Sequence, residues 1–584
     1  MVKKDYTRDE LLTDYAKDIL CERYLVDGET SPQDAFARAA EAFADDEEHA
    51  QRIYDYASNL WFMFATPVLS NGGTTRGLPI SCFLNYIDDS RLGINEHIAE
   101  NTWLASMGGG IGGVWSAIRS DGVSTSQGSK STGMIPFMHI VDSQILAVNQ
   151  GSSRRGGYAS YLDISHPEII EFINMRKPTG GDPNRKNLNL HHGINIPDSF
   201  MFIIEKCSKD PSLDDSWDLI DPHTKEVVET VSALYLWELI LTTRMETGEP
   251  YLHFIDTSNR LRPDAYKQAG LEITQSNLCS EILIPTDPET TAVCCLSSVN
   301  LEKYDEWKDT DMVKDLIRML DNVLDYFIEN APKEMHKAIK GATRGRDIGL
   351  GAMGFHAYLQ SKGIPFESAM ASSRNRVMFE DIYSKAKDAS IELAGEKGVA
   401  PVVKECSFSI PAQRNVQLMA IAPNASSSII CGGTSPSVEP FSANMYTEKT
   451  QNGSNVKRNK FLDLTEEQWR QVSADKGSVQ GLDLDKDLKD TFKTAFEIDQ
   501  HWIIDHAASR QPFICQAQSI NLFFRADVPK KYVHSVHFSA WKKSLKTLYY
   551  CRSQVVDRAE DINKRFDRFD YKVPENNECL SCEG

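Results

Sequence analysis

The heptapeptide Ser276-Asn277-Leu278-Cys279-Ser280-Glu281-Ile282 sets an amide, a thiol and a carboxyl at alternate positions. In extended backbone successive side chains alternate faces, so this spacing predicts Asn277, Cys279 and Glu281 on one side and Leu278, Ser280 and Ile282 on the other. A carboxylate beside a thiol opposes its ionisation, whereas nucleophilic cysteines are activated by cations or helix N-termini. Cys279 is therefore a poor thiolate nucleophile and better suited to hydrogen-atom chemistry. Glu281 could then act as a base on a substrate hydroxyl, and Asn277 could hydrogen-bond an oxygen. The same residues also read as a half-buried strand with polar inward positions, and the heptapeptide alone leaves both readings open.

Holding such a trio takes a scaffold, and the chain is long enough for one. Its 584 residues, 41% hydrophobic and 25% charged with 35 glycines, describe an ordinary soluble globular protein. Length allows several domains, although barrel enzymes often run long as one unit. A net charge of −20 argues against a nucleic-acid polymer as partner. Nucleotides as small ligands need only local donors and stay possible. Met1-Val2-Lys3-Lys4-Asp5 is followed by no signal-like apolar run, and no apolar segment approaches about 18 residues, so a cytoplasmic protein without membrane spans is expected. There the twelve cysteines are expected to be mostly thiols, redox-active or catalytic where they matter.

The N-terminal region reads as helical. Thr7-Arg8-Asp9-Glu10 fits a capping box, Ser31-Pro32-Gln33-Asp34 offers an N-cap followed by proline, and Phe36, Ala39, Ala40 and Phe43 recur at helical spacing. From about residue 62 short apolar runs alternate with glycine-rich loops and longer helical patterns. Gly108 to Gly113 formally satisfies G-x-G-x-x-G, but what precedes it looks helical and no acidic residue follows at the right distance, so a dinucleotide fold is rejected. Either these glycines let backbone approach a sugar or base, or they form a plain loop. Asn149 to Gly157, with Arg154 and Arg155 among small residues, suits a mobile loop that reaches an anion or base edge; a solvated surface loop fits equally.

Residues 313 to 330 and 376 to 395 are amphipathic helices for a barrel exterior. Leu418 to Ile421 is a strand pattern giving way to Ala422-Pro423-Asn424-Ala425-Ser426-Ser427-Ser428-Ile429. Backbone N–H groups and hydroxyls there suit a phosphate, or simply a serine-rich cap. The stretch 444 to 460 reads as a polar loop excursion. A helical block from Trp541 to Leu548 delivers Tyr549-Tyr550, a pair that by default means aromatic packing. The polar end carries Cys579-Leu580-Ser581-Cys582. Zinc would want four ligands and no second pair has metal-site spacing, which favours a dithiol shuttle.

In chain order, Ala65-Thr66-Pro67 with Ser81-Cys82-Phe83-Leu84, the 108–113 glycines, Asn277 to Glu281, Ala292-Val293-Cys294, Pro423 to Ser428, Tyr549-Tyr550 and Cys579/Cys582 resemble the large (alpha, catalytic) subunit of class I ribonucleotide reductases, over about residues 60 to 584. The resemblance implies a ten-stranded α/β barrel, two antiparallel halves of five parallel strands with a central finger loop. It divides the chain into an N-terminal helical region (1–61), the barrel (62–551) and a C-terminal redox tail (552–584).

The resemblance further implies reduction of ribonucleoside diphosphates at C2′. Cys279 would carry a thiyl radical that takes hydrogen from C3′, Glu281 would take the 3′-hydroxyl proton, and Asn277 would hydrogen-bond the sugar. Cys82 and Cys294 would supply the reducing equivalents and become a disulfide, Cys294 being preferred to Cys295 by the family's Ala-x-Cys pattern. Cys579 and Cys582 would reduce that disulfide and be recharged by thioredoxin or glutaredoxin. Tyr549 and Tyr550 would relay the radical from a metal-containing small (beta) subunit, this chain itself showing no metal-ligand cluster and binding no cofactor. Substrate would meet Thr66, Ser81, Gly109, Gly110, Pro423, Asn424, Ala425, Ser426 and Ser427. A deoxynucleoside triphosphate or ATP effector would meet Asp89, Ser90 and Arg119, with Gln150 and Arg155 communicating between the sites in a homodimer.

Two departures stand out. Ile429 occupies a position where many members have a polar residue. Lys3-Lys4-Asp5-Tyr6 does not supply the Lys-Arg-[Asp/Asn]-Gly signature of the family's ATP-cone, so dATP shut-off through such a cone is not expected. The rivals are the adenosylcobalamin-dependent class, disfavoured by the tyrosine pair, and a non-catalytic nucleotide-binding regulator, disfavoured by the retained polar and cysteine set.

Overall fold

The structure is a computed structural model that describes residues 1–148, 156–407, 409–450 and 453–554. Three helices, Asp14–Arg23, Pro32–Phe43 and Glu47–Ser58, open the chain. Ser31 caps the second with the expected capping box, its hydroxyl accepting from the Gln33 amide while the Asp34 carboxylate accepts from the Ser31 amide. Phe36, Ala39, Ala40 and Phe43 are all buried. The capping box expected at Thr7 does not form. The Thr7 hydroxyl donates to Asp5, and Asp5 itself caps a short 3-10 turn over Tyr6–Leu11.

The barrel strands are β1 (Phe62–Phe64), β2 (Cys82–Tyr86), β3 (Gly110–Val114), β4 (Gly157–Asp163), β5 (His191–Ile196), β6 (Tyr251–Phe254), β7 (Ala292–Asn300), β8 (Ile348–Met353), β9 (Leu522–Phe524), β10 (Thr547–Leu548) and β11 (Cys551–Ser553). β2 to β6 run parallel to one another. β7 joins β2 antiparallel, flanked on its far half by β1, and β8 lies parallel to β7. From β8 the pairing passes in parallel to Met419, from Ile421 to Gln518, and from β9 to β11. β10 then meets β6 antiparallel. Two sets of parallel strands thus meet at two antiparallel seams, β2–β7 and β6–β10, the arrangement expected for an α/β barrel. The Leu418–Ile421 run contributes through single bridges rather than a continuous ladder.

Outside the wall, helix Met312–Asn330 buries Leu316, Leu320, Val323, Leu324 and Phe327 and packs against β7, with helix Ala369–Lys397 over it. The first matches its predicted limits to within one residue, whereas the second begins seven residues earlier than predicted and ends two later. The stretch expected as a polar loop is instead a hairpin, Met445–Thr450 with Gly453–Arg458. The sequence of this ribbon carries no apolar alternation, so periodicity could not reveal it. The helix expected through Leu548 stops at Lys542. Beyond it, Phe254 donates to the Lys546 carbonyl and Thr547 pairs with His253, so tertiary pairing overrides helical pattern. No helix among the described residues is long and apolar enough to cross a membrane.

Candidate active site at the centre of the barrel

The segment leading into β7 carries the heptapeptide across the barrel interior. Room for it comes from β3: a Cβ added to Gly112 would lie 2.1 Å from the Ser276 carbonyl oxygen, and one on Gly110 3.0 Å from Leu278. The glycine run, read as either a ligand approach or a plain loop, is mostly barrel strand, with Gly110 and Gly112 turned to the finger loop. Gly109 is equally confined, against the Phe83 ring and the Leu104 carbonyl.

The heptapeptide is not extended. Ser280 adopts φ 66° and its amide reaches back 3.3 Å to the Asn277 carbonyl, closing a turn. Distant residues impose it. Tyr161 of β4 donates to the Asn277 carbonyl at 2.8 Å, Ala517 donates to the Glu281 carbonyl at 2.9 Å, and the Ser519 hydroxyl lies 2.5 Å from the Cys279 carbonyl oxygen and 3.2 Å from Glu281 Oε2. Within the turn Asn277 Oδ1 accepts from the Glu281 and Ile282 amides, at 3.0 and 3.1 Å.

Two of the three polar groups, Asn277 and Glu281, still converge on Cys82 at the start of β2. Asn277 Nδ2 donates to Cys82 Sγ at 3.3 Å, and the Cys82 thiol lies 3.8 Å from Glu281 Oε1. Asn277 and Glu281 are buried, and Cys279 is buried in an apolar cluster with Leu278, Tyr161, Tyr251 and Tyr549.

Cys82 and Cys294 lie directly opposite each other across the β2–β7 seam. Antiparallel partners sit roughly 4.5 to 5.5 Å apart at Cα, within the span a disulfide needs, and both are free thiols here. Burial pushes the Cys294 thiol well above its ordinary range, with neighbouring Cys295 adding to the shift, although Gln516 donates to its sulfur at 3.5 Å. Strand alternation turns Cys295 to the other face, where its thiol donates 3.3 Å to the Leu320 carbonyl of the outer helix.

Three tyrosine rings in mutual tilted and edge-to-face contact cluster with Cys279. Tyr549 and Tyr550 have centroids 4.3 Å apart, and Tyr251 of β6 lies 4.7 Å from Tyr549 and 5.2 Å from Tyr550. Tyr549 is fully buried and Tyr550 partly exposed. The Tyr550 hydroxyl lies 3.3 Å from His191 Nδ1, which lies 2.5 Å from the buried carboxylate of Glu249. Burial alone would raise that carboxylate, but Arg176 and the two histidines 191 and 192 hold it well below the usual range.

Near β1 and the far end of β8, the serine-rich turn becomes the short helix Ala425–Ile430. Asn424 enters it at φ 57°. Its side chain is engaged within the protein, donating to the Ala422 and Ala352 carbonyls and accepting from Ser298 at 2.9 Å. Ser426 and Ser427 are buried, as are Thr66, whose hydroxyl is 3.1 Å from the Tyr24 hydroxyl, and Ser81, whose carbonyl accepts from Gly110. Pro423 and Ala425 flank Asn424 in the same turn.

Asp89 and Arg119 form an ion pair at 2.9 Å, beyond the ends of β2 and β3, and Ser90 caps helix Arg91–Ser106. Gln150, Arg155, Cys579 and Cys582 lie outside the described residues. Sequence reasoning missed Tyr161, Gln516, Ser519, His191, Glu249 and Tyr251, which touch the site from separate parts of the chain and belong to no motif. Among the described residues no group of three or more His, Cys, Asp or Glu side chains could hold a metal ion.

Comparison with known proteins bears on this arrangement. Residues 80–409 and 411–551 match the family described as "Ribonucleotide reductase, barrel domain", and residues 10–77 match "Ribonucleotide reductase, all-alpha domain". The "Ribonucleoside-diphosphate reductase large subunit" of Invertebrate iridescent virus 3 is 42% identical, covering 100% of each chain. That of Caenorhabditis elegans is 33% identical over 87% of this chain and 71% of its own. Among solved structures, the "Actinobacillus ureae class Id ribonucleotide reductase alpha subunit" superposes with a TM-score of 0.81 at 33% identity, covering 94% of this chain and 98% of that one. With the family match spanning nearly the whole chain, the protein belongs to the ribonucleotide reductases, as the large (alpha) subunit of a class I ribonucleoside-diphosphate reductase.

Proposed function

We propose that the finger turn and the β2–β7 seam reduce a ribonucleoside diphosphate by a cysteine-radical route. A thiyl radical at Cys279 takes hydrogen from C3′ of the ribose, Glu281 takes the 3′-hydroxyl proton, and Asn277 holds the sugar through hydrogen bonding. The C2′–O bond breaks and the hydroxyl leaves as water with one hydrogen from the Cys82–Cys294 dithiol. The other hydrogen goes to C2′, and the S–S bond forms. Cys279 then returns hydrogen to C3′ and Glu281 returns its proton. A Cys294 thiol held protonated by burial suits donation of hydrogen rather than thiolate attack.

The observation that carries this reading is the convergence of Cys82, Asn277 and Glu281 on the same finger turn as Cys279, with Cys294 opposite Cys82. The ring contacts from Tyr550 through Tyr549 toward Cys279 favour a radical supplied by a small subunit. The 423–427 turn, with Thr66 and Ser81 nearby, would take the substrate phosphates. Cys579 and Cys582 would pass electrons from thioredoxin or glutaredoxin.

Asp89, Ser90 and Arg119 would bind the specificity effector. Beside them, helices Arg91–Ser106 and Ile135–Ala147 pack together and expose Leu92, Trp103, Ile140 and Leu146, an apolar face suited to a second copy of the chain. The test is CDP reduction in the presence of a class I small subunit with and without effector. Cys279→Ser should abolish turnover and leave nucleotide binding intact. Residual turnover in that variant would remove Cys279 from the radical role.

A further inference from the structure

Arg244 lies on helix Ala233–Thr247, outside the barrel wall, with no exposure to solvent. Among the described residues no carboxylate lies within ion-pair distance of it. A buried cation without a paired anion is costly, so it persists only where its hydrogen bonds are complete. Its partners are neutral acceptors. Nη2 donates to the Tyr549 carbonyl at 3.0 Å, Nη1 to the Pro250 carbonyl, and Nε to His537 Nε2 at 3.1 Å. Burial, reinforced by the adjacent guanidinium, pushes His537 down to about 3. The ring is therefore neutral. Its Nδ1–H donates to the Val533 carbonyl at 2.8 Å, which leaves the Nε2 lone pair for Arg244.

The two carbonyls belong to particular peptide groups. That of Pro250 leads into Tyr251, and that of Tyr549 joins Tyr549 to Tyr550. One guanidinium fork therefore ties together the two chain segments that carry all three rings of the cluster, at 4.3, 4.7 and 5.2 Å between centroids. A lysine has the charge but no planar fork to reach three acceptors in fixed directions.

We propose that Arg244 is a positioning residue of the tyrosine relay: it clamps the backbones of Tyr251, Tyr549 and Tyr550 at contact distance. The inference rests on the relay role proposed above for Tyr549 and Tyr550. In each step a tyrosyl oxygen radical takes a hydrogen atom from the next phenol, or in the last step from the Cys279 thiol, so one O–H or S–H bond breaks as an O–H bond forms and no charge appears.

The experiment uses the full chain with a radical-bearing small subunit. It measures kcat, the KM for CDP, effector binding, thermal melting, and the fraction of small-subunit radical consumed in the first turnover by electron paramagnetic resonance. Arg244→Lys and Arg244→Gln are expected to lower kcat and the rate of radical consumption at least tenfold. KM and effector affinity should stay within twofold of the native protein. Wild-type radical consumption in Arg244→Lys, or a loss explained by a matching rise in KM, would overturn the assignment. If the Arg244 variants do not fold, His537→Leu, which removes one acceptor, carries the test: slowed radical consumption at unchanged KM supports the clamp, and an unchanged rate overturns it. Tyr550→Phe is run in parallel. Turnover surviving there would overturn the relay itself, whereas turnover lost there but intact in Arg244→Lys would overturn only the role of Arg244.

Discussion

Gly112→Ala asks whether the finger turn must sit where the barrel holds it. Gly112 is a β3 residue without positive φ, so alanine suits its backbone. The added Cβ, however, would lie 2.1 Å from the Ser276 carbonyl oxygen and 2.8 Å from Asn277 Cα. β3 is held on both sides, Gly112 pairing with Leu84 of β2 and Ala159 of β4, so the finger has to yield. Ordinary contact returns only after a retreat of roughly 1 Å or more. That retreat falls on Asn277 and carries Cys279 with it. Overpacking of this size costs about 1–3 kcal/mol of stability, and a 1 Å misplacement of a reacting group costs on the order of a hundredfold in rate. The expected result is a kcat for CDP reduction, with dithiothreitol as reductant, about a hundredfold below native, at unchanged effector binding. Gly395→Ala is the control: its Cβ meets nothing within 4 Å inside helix Ala369–Lys397, so it should add up to about 1 kcal/mol of helix stability and leave kcat alone. A Gly112→Ala enzyme within twofold of native kcat would refute the packing of the finger against β3.

Two further outcomes follow from adjacent geometry. Cys294→Ser should stop turnover whereas Cys295→Ser should keep it, because Cys294 faces Cys82 across the seam while Cys295 faces the outer helix; steady-state CDP reduction by both variants decides the matter, and the reverse pattern would move the redox role to Cys295. Burial alone would raise Asp221, but the amides of Ser120, Thr224 and His223 and the Ser120 hydroxyl hold it down to about 2. A depressed carboxylate stabilises the fold above its unfolded value near 3.9, and that contribution is lost as pH falls through about 2, on the order of 2 kcal/mol. Asp221→Asn should flatten the acid limb of stability in denaturant melts between about pH 4 and 2, and an unaltered limb would contradict the hydrogen-bond count.

What could be read in advance was what local chemistry writes into adjacent residues. Ser31-Pro32-Gln33-Asp34 states a helix start in four residues, and the structure shows it. The outer helices announce themselves by apolar period. The heptapeptide at 276–282 was legible in content but not in shape, because its turn depends on Tyr161, Ala517 and Ser519, residues more than a hundred positions away. For the same reason the 108–113 glycines read either as an approach to a sugar or base or as a plain loop. Their bare face serves the finger, and nothing in the run names that neighbour. Cys82 and Cys294 face each other only because β2 and β7 form an antiparallel seam; spacing in the chain carries no trace of it, and only family resemblance could pair them. The polar hairpin at 445–458 and the strand before Tyr549 were hidden because pairing, not pattern, makes them.

The proposed reduction of the ribose draws on the Cys82–Cys294 dithiol. It is tested most directly by a single turnover without external reductant: pre-reduced chain carrying Cys579→Ser and Cys582→Ser, mixed with a small subunit, effector and CDP, then quenched, with dCDP counted and disulfides mapped by mass spectrometry. The expected result is one dCDP for each Cys82–Cys294 linkage formed. Formation of dCDP while Cys82 and Cys294 remain thiols, or become linked to other cysteines, would contradict it.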